Sequence, residues 1–376
     1  MKIMPIIGTR PECIKLAPVI KEIEKNRNIE LTVCLTGQHR DMVKDLIDFF
    51  KIPVEINLDL MISDQSPLNF LSRCLSKLDL ALDTHKPDWV IVQGDTSTVM
   101  AAALSAYHKK IKIGHVEAGL RSFDKWNPFP EEVNRKITGT VADLHFAPTN
   151  SAKDNLLNEG YDIESILVTG NTVIDALHMV KNRLDEISLP GACLIDPLKK
   201  IILVTLHRRE NFGKPLENLF EGLARLADEF QDSIHIIYPV HLNPNVKITA
   251  ERVLSGNRNI TLLDPLPYFE LIKLMHESFL VITDSGGIQE EAPGLGKPVL
   301  VCRKVTERPE GVIAGVVKLV GTDGDQLYAE ARTLLTCREA YDSMAKAVNP
   351  YGDGMASRRI VDAIKSHQGG ALEHSR

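Results

Sequence analysis

The sequence predicts an α/β protein built from two doubly wound, Rossmann-like domains. Short β-rich runs alternate with helix-length amphipathic segments along the chain, which is the pattern of parallel sheets covered by helices. At 376 residues the chain is longer than one core usually serves. A segment rich in breakers, 182–199, interrupts the alternation midway and indicates a linker. Because open α/β sheets bind ligands at the carboxyl ends of their strands, we expect a ligand cleft between the domains.

Apolar runs of strand length define the elements of each domain in order. In the first domain, 1–180, the predicted strands are 2–7, 31–36, 89–92, 111–116 and 144–146. In the second domain, 198–350, they are 201–205, 234–238, 260–263, 280–283, 299–301 and 317–319. A final helical segment, 355–366, follows the breaker cluster 350–354, so we expect the chain to return to the first domain.

The composition excludes several classes of partner. Lys and Arg total 44 against 50 for Asp and Glu, and a net charge of -6 provides no field that gathers nucleic acid. We see no apolar stretch near the roughly 20 residues that cross a bilayer, and no signal-peptide pattern. The six cysteines lack CxxC spacing and indicate free thiols. We expect a cytoplasmic protein without a nucleic-acid or membrane partner.

One segment of the second domain has the layout of a phosphate-binding turn. Ser285, Gly286 and Gly287 follow a predicted strand and precede a helix, so their backbone amides can point at an anion. Glu291, one turn further on, can accept hydrogen bonds from a ribose diol. A tight turn capped by Ser285 explains the same residues equally well.

Three acids of the first domain lie where a doubly wound fold places its chemistry. Asp95 and Glu117 follow two apolar strands, so both are expected at one edge of the sheet. Two close carboxylates repel and raise one pKa, which suits acid–base work. Glu131 opens a helix after Pro-Phe-Pro, four residues before Arg135 on the same face. The plainer interpretations are a helix cap for Asp95 and a surface ion pair for Glu131 with Arg135.

Basic residues and histidines also lie after predicted strands, in the loop or helix that follows. Arg10 follows the first strand, Lys15 lies in the next helix, and both can neutralise a diphosphate. His207 follows the first strand of the second domain, where it can bind phosphate or move a proton. His241 and Arg308 lie in polar loops that can equally serve their own backbone. With no dinucleotide fingerprint, Walker lysine or HExxH motif, the sequence calls for no cofactor and no metal.

Taken together, these motifs resemble those of the non-hydrolysing UDP-N-acetylglucosamine 2-epimerases. The series runs in order through nearly the whole chain: GTRPE at 8–12, GDT at 94–96, HVEAGLRS at 115–122, PFPEEVNR at 128–135, GNTVIDAL at 170–177, HRREN at 207–211, HLNPNV at 241–246, DSGGIQEEA at 284–292 and TERPE at 306–310. The resemblance implies a two-domain fold of the glycosyltransferase-B type. It also implies that the second domain holds most of the nucleotide while the sugar faces the first.

The resemblance implies a reaction without a redox cofactor. UDP is eliminated anti to give 2-acetamidoglucal, then adds back as C2 is protonated on its other face, which interconverts UDP-GlcNAc and UDP-ManNAc. Asp95, Glu117 and Glu131 match the catalytic carboxylates of the family, and which of them serves which face stays open. The resemblance assigns four residues to diphosphate stabilisation or catalysis: Arg10, Lys15, Arg135 and His207. It assigns four more to diphosphate and ribose contacts: Ser285, Gly286, Gly287 and Glu291.

The resemblance further implies a homodimer through the first domain and use of the product in cell-surface polysaccharide synthesis. Three alternative activities stay open: C2 epimerisation of a related UDP-diacetamido sugar, a hydrolysing epimerase that releases free ManNAc, and a retaining glycosyltransferase. A nucleotide-sugar-binding regulator without turnover is a fourth interpretation, but it has no use for three acids around one carbon.

Overall fold

The computed structural model describes residues 1–38, 40–62, 65–189 and 198–370. The chain divides into two compact units. Unit 1 comprises 1–176 together with 352–376, and unit 2 comprises 177–351. Cys193 and the C-terminal stretch 371–376 lie outside the described residues, as does the part 190–197 of the predicted linker.

Unit 1 is built on a parallel sheet. Its strands, within the described ranges, are β1 (Lys2–Ile7), β2 (Glu30–Leu31), β3 (Val33–Leu35), β4 (Val54–Asn57), β5 (Trp89–Gln93), β6 (Lys112–Val116), β7 (Leu144–Ala147) and β8 (Ile166–Val168). The order is β4-β3-β1-β5-β6-β7-β8, and β2 also pairs with β1. The strand order reverses between β1 and β5, which is where doubly wound sheets bind ligands.

Helices connect these strands. They are α1 (Arg10–Glu24), α2 (Arg40–Phe50), α3 (Pro67–His85), α4 (Ser97–His108), α5 (Glu131–Val141), α6 (Asn150–Asn158) and α7 (Thr172–Lys181). Local chemistry sets their starts: Ser66 caps α3 by accepting from Asn69 N, with Pro67 at the first position, and Thr96 caps α4 by accepting from Val99 N.

Unit 2 repeats the architecture with a six-stranded parallel sheet. Its described strands are β9 (Lys200–Thr205), β10 (Ile234–Pro239), β11 (Ile260–Leu263), β12 (Leu280–Thr283), β13 (Val299–Val301) and β14 (Val317–Leu319). The order β11-β10-β9-β12-β13-β14 is the dinucleotide-binding order, with its switch point between β9 and β12. The helices are α8 (Lys214–Glu229), α9 (Pro244–Leu254), α10 (Tyr268–Glu277), α11 (Ile288–Gly294), α12 (Pro309–Ile313), α13 (Gly324–Thr336) and α14 (Arg338–Ala345).

The last helix, α15 (Ala356–Gly370), belongs to unit 1 and packs against α1. Asp175 of α7 fixes its start by accepting hydrogen bonds from Ala356 N at 3.2 Å and from Ser357 N at 2.8 Å. The side chain of Asp175 is buried. The chain therefore crosses to unit 2 and returns, and the return is anchored by a buried carboxylate.

The predicted fold class, α/β with two doubly wound Rossmann-like domains, is confirmed. All eleven predicted runs form strands, because strands covered on both faces are continuously apolar; every residue of β5 is buried. The run 31–36 is divided into β2 and β3 at Thr32, whose N–H still donates to Ile3 O. Two strands, β4 and β8, were missed, since both are short, partly exposed edge strands. No helix in the described part of the chain is long and apolar enough to cross a membrane.

Candidate active site

Polar residues converge at the carboxyl ends of β5 and β6 in unit 1. Glu117 follows β6 directly, and Lys15 of α1 donates to both of its carboxylate oxygens at 2.6 Å. The Gln93 amide at the end of β5 also donates to Glu117, and Asn171 Nδ2 donates at 3.3 Å. The Lys15 and Glu117 side chains are only 16% and 5% exposed, so water screens their attraction weakly. These donors satisfy both carboxylate oxygens of Glu117 and fix the side chain in place.

The backbone at Glu117 is unusual for a residue with a side chain. Its φ is +65°, in the left-handed region that glycine favours. Gly94, with φ +82°, lies beside it, and a Cβ at Gly94 would come within 3.9 Å of Glu117 Oε2. A non-glycine residue keeps such a conformation where its surroundings determine it strongly, as they often do at functional sites. The four donor contacts on Glu117 are such surroundings.

Asp95, two residues beyond β5, is paired with an arginine. Arg135 Nε donates to Asp95 Oδ2 at 2.9 Å, and an Arg135 terminal nitrogen lies 2.6 Å from the same oxygen. Arg135 Nη1 also donates to Glu132 Oε2 at 3.0 Å. Burial lowers the pKa of Arg135, but Asp95 and Glu132 outweigh it and raise that pKa above its usual value. The plainer interpretation of the sequence paired Arg135 with Glu131; the structure gives Arg135 the partners Asp95 and Glu132.

Glu132, which the sequence analysis did not select, organises the loop before α5. Its buried carboxylate accepts from the backbone N–H groups of Ser122 at 3.0 Å and Phe123 at 3.1 Å. Burial raises the pKa of Glu132, but these bonds and Arg135 outweigh it and leave that pKa below its ordinary value. The sequence does not show which of the adjacent residues Glu131 and Glu132 has the buried side chain. The motif alone therefore could not identify Glu132.

Glu131 begins α5 and is half-buried. Its Oε2 is buried, and among the described residues it has no hydrogen-bond partner. A buried carboxyl oxygen without a partner is unfavourable, and a ligand hydroxyl would satisfy it. Glu131 therefore differs from Asp95 and Glu117, each of which faces a cation.

Two further residues of this edge have different surroundings. Arg10 is exposed at the first position of α1. His115 on β6 is buried, its Nε2 lies 2.8 Å from Gly94 O, and burial lowers its pKa to about 4, so the ring is neutral. A cavity of about 460 Å³ lies elsewhere, at the opposite edge of the sheet, where Trp89 and Lys112 begin β5 and β6.

In unit 2 a buried aspartate joins the loops that follow β9 and β12. Asp284 accepts from His207 N at 3.0 and 3.1 Å, from Arg208 N at 2.8 Å and from Asn211 Nδ2 at 3.0 Å. The His207 ring stacks on the His241 ring with 5.3 Å between centroids. Burial, opposed by Asp284 and assisted by His241, lowers the pKa of His207. The imidazole is therefore neutral near pH 7.

The turn after β12 lies beneath two guanidinium groups. A Cβ built on Gly286 would lie 3.5 Å from Arg308 Cζ and 3.6 Å from an Arg208 terminal nitrogen. Arg308 Nε donates to Glu290 Oε1 at 2.8 Å. Two guanidinium groups thus lie beside the Gly286 backbone, which has no side chain in the way. A diphosphate can approach the backbone there and bind both cations. Arg208 was missed as a candidate, although the motif HRREN contains it.

The helix after this turn, α11, does not have the serine cap that the simplest interpretation of the sequence predicts. The N-cap of α11 is Gly287 without a side-chain cap bond, so Ser285 does not cap the helix. Ser285 N donates instead to Thr283 Oγ1 at 3.0 Å. Glu291 is buried in the first turn of α11. Unit 1 thus gathers Lys15, Asp95, Glu117 and Arg135, and unit 2 gathers His207, His241, Arg308 and the turn 285–287.

Two doubly wound parallel sheets with charged groups at their strand ends place the chain in the glycosyltransferase-B class of folds. The model of the UDP-N-acetylglucosamine 2-epimerase family matches residues 21–365. The chain belongs to this family, as the order of its motifs predicted.

Individual relatives match over almost their full length. The UDP-N-acetylglucosamine 2-epimerase of Bacillus subtilis is 47% identical over 371 residues, which cover 98% of this chain and 96% of the relative. The structure of a putative UDP-N-acetylglucosamine 2-epimerase from Listeria monocytogenes has a TM-score of 0.92 and 45% identity, covering 98% of this chain and 97% of that one. The UDP-GlcNAc 2-epimerase of Neisseria meningitidis, solved bound to UDP-GlcNAc, has a TM-score of 0.88 and 42% identity, covering 97% and 100%.

Proposed function

We propose that this chain interconverts UDP-GlcNAc and UDP-ManNAc by eliminating UDP from C1 and a proton from C2, then returning UDP to C1 and a proton to the opposite face of C2. The observation that carries the proposal is the set of three carboxylates at one edge of unit 1, each in a different charge environment. Asp95 faces Arg135, Glu117 faces Lys15, and Glu131 has a buried oxygen that lacks a partner in the described chain. A relative from Neisseria meningitidis binds UDP-GlcNAc, which supports the substrate class.

Inversion at C2 needs a base on one face and an acid on the other. The C2 hydrogen is weakly acidic, so the base must be an ionised group held close to it. Asp95 and Glu117 each pair with a cation that fixes the carboxylate in place, and they are the candidates for the base. Glu131 is the candidate for the acid, because its buried Oε2 has no hydrogen-bond partner in the described chain and can therefore contact a substrate group. The reverse reaction exchanges the direction of each transfer, so each group must work in both protonation states.

Departure of UDP places negative charge on the diphosphate, and unit 2 carries groups that can stabilise it. Arg208 and Arg308 lie over Gly286, where a diphosphate can approach the backbone closely. The neutral His207 can donate one hydrogen bond there without adding charge, and Glu291 is assigned to the ribose. The family resemblance also assigns Arg10 and Lys15 of unit 1 to diphosphate stabilisation or catalysis. We therefore assign catalysis to unit 1 and UDP binding to unit 2.

Incubation with UDP-GlcNAc in heavy water, without acceptor, NAD or metal, tests the proposal. We expect NMR to show UDP-ManNAc carrying deuterium at C2, and deuterium entering the recovered UDP-GlcNAc. Free ManNAc with an equal amount of UDP would show a hydrolysing epimerase instead. Unchanged UDP-GlcNAc would contradict the proposal; turnover of a UDP-diacetamido sugar, or of an added acceptor, would then identify the related epimerase or the glycosyltransferase.

We also propose that the protein works as a cytoplasmic homodimer that supplies ManNAc units for cell-surface polysaccharide. Buried free thiols at Cys13, Cys34, Cys74 and Cys302 are compatible with a reducing compartment. Unit 1 exposes large apolar side chains on α3 and α4, including Leu68 at 76% and Leu80 at 59%, which a partner copy can cover. Light scattering should give twice the chain mass of 41.8 kDa. A monomer at micromolar concentration would contradict the dimer.

A further inference from the structure

Glu12 is a buried carboxylate that neither the motif assignments nor the proposed mechanism use. It is the third residue of α1 and follows Thr9, the N-cap, at the spacing of a capping box. In that motif the threonine side chain accepts from the helix, but Thr9 makes no such bond. Glu12 Oε1 instead accepts from the Thr9 hydroxyl at 2.8 Å, and Glu12 Oε2 accepts from Gly8 N at 2.6 Å.

The same carboxylate also binds the loop after β5. Glu12 Oε1 accepts from Thr96 Oγ1 at 2.8 Å, across 84 residues of sequence. Thr96 caps α4 and directly follows Asp95, while Thr9 directly precedes Arg10. One carboxylate thus joins the two loops that carry these site candidates.

The surroundings enclose this junction. A Cβ on Gly8 would clash with the Thr98 hydroxyl and would lie 2.9 Å from Thr36 Oγ1, so the β1 loop approaches α4 closely. The Thr98 hydroxyl in turn donates to Gln38 Oε1 at 2.8 Å. Glu12 is 1% exposed. An exposed side chain caps a helix equally well, so capping α1 does not explain why Glu12 is buried. Burying a carboxylate among neutral donors is unfavourable, which indicates that the buried position has another role.

We propose that Glu12 is a positioning residue that fixes the loop after β1 to the loop after β5, and so holds Arg10 and Asp95 in the geometry that catalysis requires. The inference rests on the proposed function for its catalytic consequence, and its structural part is independent of it. Every partner of Glu12 is a donor, so the ionised carboxylate satisfies Gly8, Thr9 and Thr96 together. A proton on Oε2 displaces Gly8 N–H, whereas a proton on Oε1 requires a threonine hydroxyl to turn and accept instead of donate.

This junction should respond to pH. Burial, opposed by its hydrogen bonds, raises the pKa of Glu12 to about 7. The titratable groups that face it are the thiols of Cys13 on α1 and Cys74 on α3, with Cys34 of β3 beside Cys74; burial raises the pKa of each to about 12, so all three stay neutral. The side chain therefore loses its charge, and one of its hydrogen bonds is lost or reversed in direction, as pH falls below about 7.

Two variants separate positioning from simple stability. For Glu12→Ala we expect kcat to fall about 10- to 100-fold, while KM and UDP affinity change less than about twofold, because small displacements of reacting groups cost rate rather than binding. Glu12→Gln keeps the size of the side chain but carries no charge. We expect a smaller loss of kcat than in Glu12→Ala, and we expect the fall in wild-type kcat that titration of Glu12 causes near pH 7 to be absent. Asp175→Asn, another buried carboxylate with three donors, is the control and should leave the pH profile of kcat unchanged.

Hydrogen exchange measured by mass spectrometry tests the junction without reference to activity. In Glu12→Ala, and more weakly in Glu12→Gln, we expect faster exchange in peptides covering both 5–14 and 92–100, and in neither for Asp175→Asn. Faster exchange in 5–14 alone would overturn the inference, because Glu12 would then act as a local cap. Equal losses of kcat and UDP affinity would overturn it as well. If both peptides respond but the wild type does not epimerise UDP-GlcNAc, the proposed function fails and the junction stands.

Discussion

Asp95 shows how much a single side chain contributes at this site. Its carboxylate is 26% exposed and pairs with Arg135, whose own second partner, Glu132, is buried. The Asp95 carboxylate is therefore partly accessible, and a substrate can contact it on the exposed side. A carboxylate that a guanidinium fixes in place can take part in proton transfer without moving.

Asp95→Asn tests this role. We expect exchange of deuterium into C2 of UDP-GlcNAc to fall at least 100-fold, since an amide cannot accept the proton, with UDP affinity unchanged within about twofold. NMR and calorimetry measure the two quantities. Asp83→Asn, which removes an exposed ion pair with Lys109, is the matched control and should change neither. A collapse of UDP binding in Asp95→Asn would mean that Asp95 is not a catalytic group.

Arg208 and Arg209 are adjacent arginines with different surroundings. Arg208 lies over Gly286, whereas Arg209 is exposed. A charge-assisted hydrogen bond to phosphate contributes about 1.5–3 kcal/mol, so Arg208→Ala should weaken UDP binding about 10- to 100-fold. Arg209→Ala should leave it unchanged. Titration calorimetry measures both, and equal effects of the two substitutions would contradict the assignment of Arg208.

At the scale of elements, single buried carboxylates join loops that are distant in sequence. Asp284 joins the loops after β9 and β12, Glu132 joins the loop before α5 to that helix, and Glu12 joins the loops after β1 and β5. Backbone N–H groups supply part of the donors in each case. Strands give these loops a rigid base, and the carboxylates fix their remaining freedom.

The Glu12 junction predicts a dependence of stability on pH. Burial raises the pKa of Glu12 from 4.5 to about 7 in the folded protein, so folding favours the protonated form. The contribution to stability is therefore largest below pH 4.5 and is lost as pH rises through about 7. Glu12→Gln does not titrate, so its stability relative to the wild type should rise between pH 5 and pH 8, by an amount on the order of 3 kcal/mol at most.

Urea unfolding at both pH values measures this difference. The control is Asp162→Asn, an exposed cap that accepts from Glu164 N, and its difference from the wild type should stay constant between the two pH values. If the difference for Glu12→Gln also stayed constant, Glu12 would not titrate in this range. The junction would then lack its pH dependence, although its geometry would be unaffected.

For the whole molecule, the two units carry different chemistry on equivalent strand ends. Unit 1 presents carboxylates paired with cations, and unit 2 presents arginines over a bare backbone turn. The proposed division of labour follows from this difference, because a carboxylate edge suits proton transfer and a cationic turn suits a diphosphate.

Hydrogen exchange with two ligands tests the division. UDP alone should protect the unit 2 segments 204–213 and 284–292. UDP-GlcNAc should protect these and, in addition, the unit 1 segments 93–97 and 115–120. Protection of unit 1 by UDP to the same extent as by UDP-GlcNAc would contradict the assignment of the sugar to unit 1.

The sequence by itself determined the fold class, the eleven predicted strands and the positions of the main candidates at strand ends. It could do so because strand and helix periodicity is local, and because the carboxyl end of an apolar run is visible in the chain. The family followed from the order of nine short motifs.

Only the tertiary structure decided which charges meet. Arg135 pairs with Asp95, 40 residues away, rather than being committed to its helical neighbour Glu131, because the strand order brings the end of β5 to α5. The roles of Glu12, Glu132, Arg208 and Asp284 likewise depend on which loops become neighbours. These ion pairs and hydrogen bonds join residues that are far apart in sequence. The distance between two such residues depends on how the strands and helices pack, which a local sequence pattern does not show.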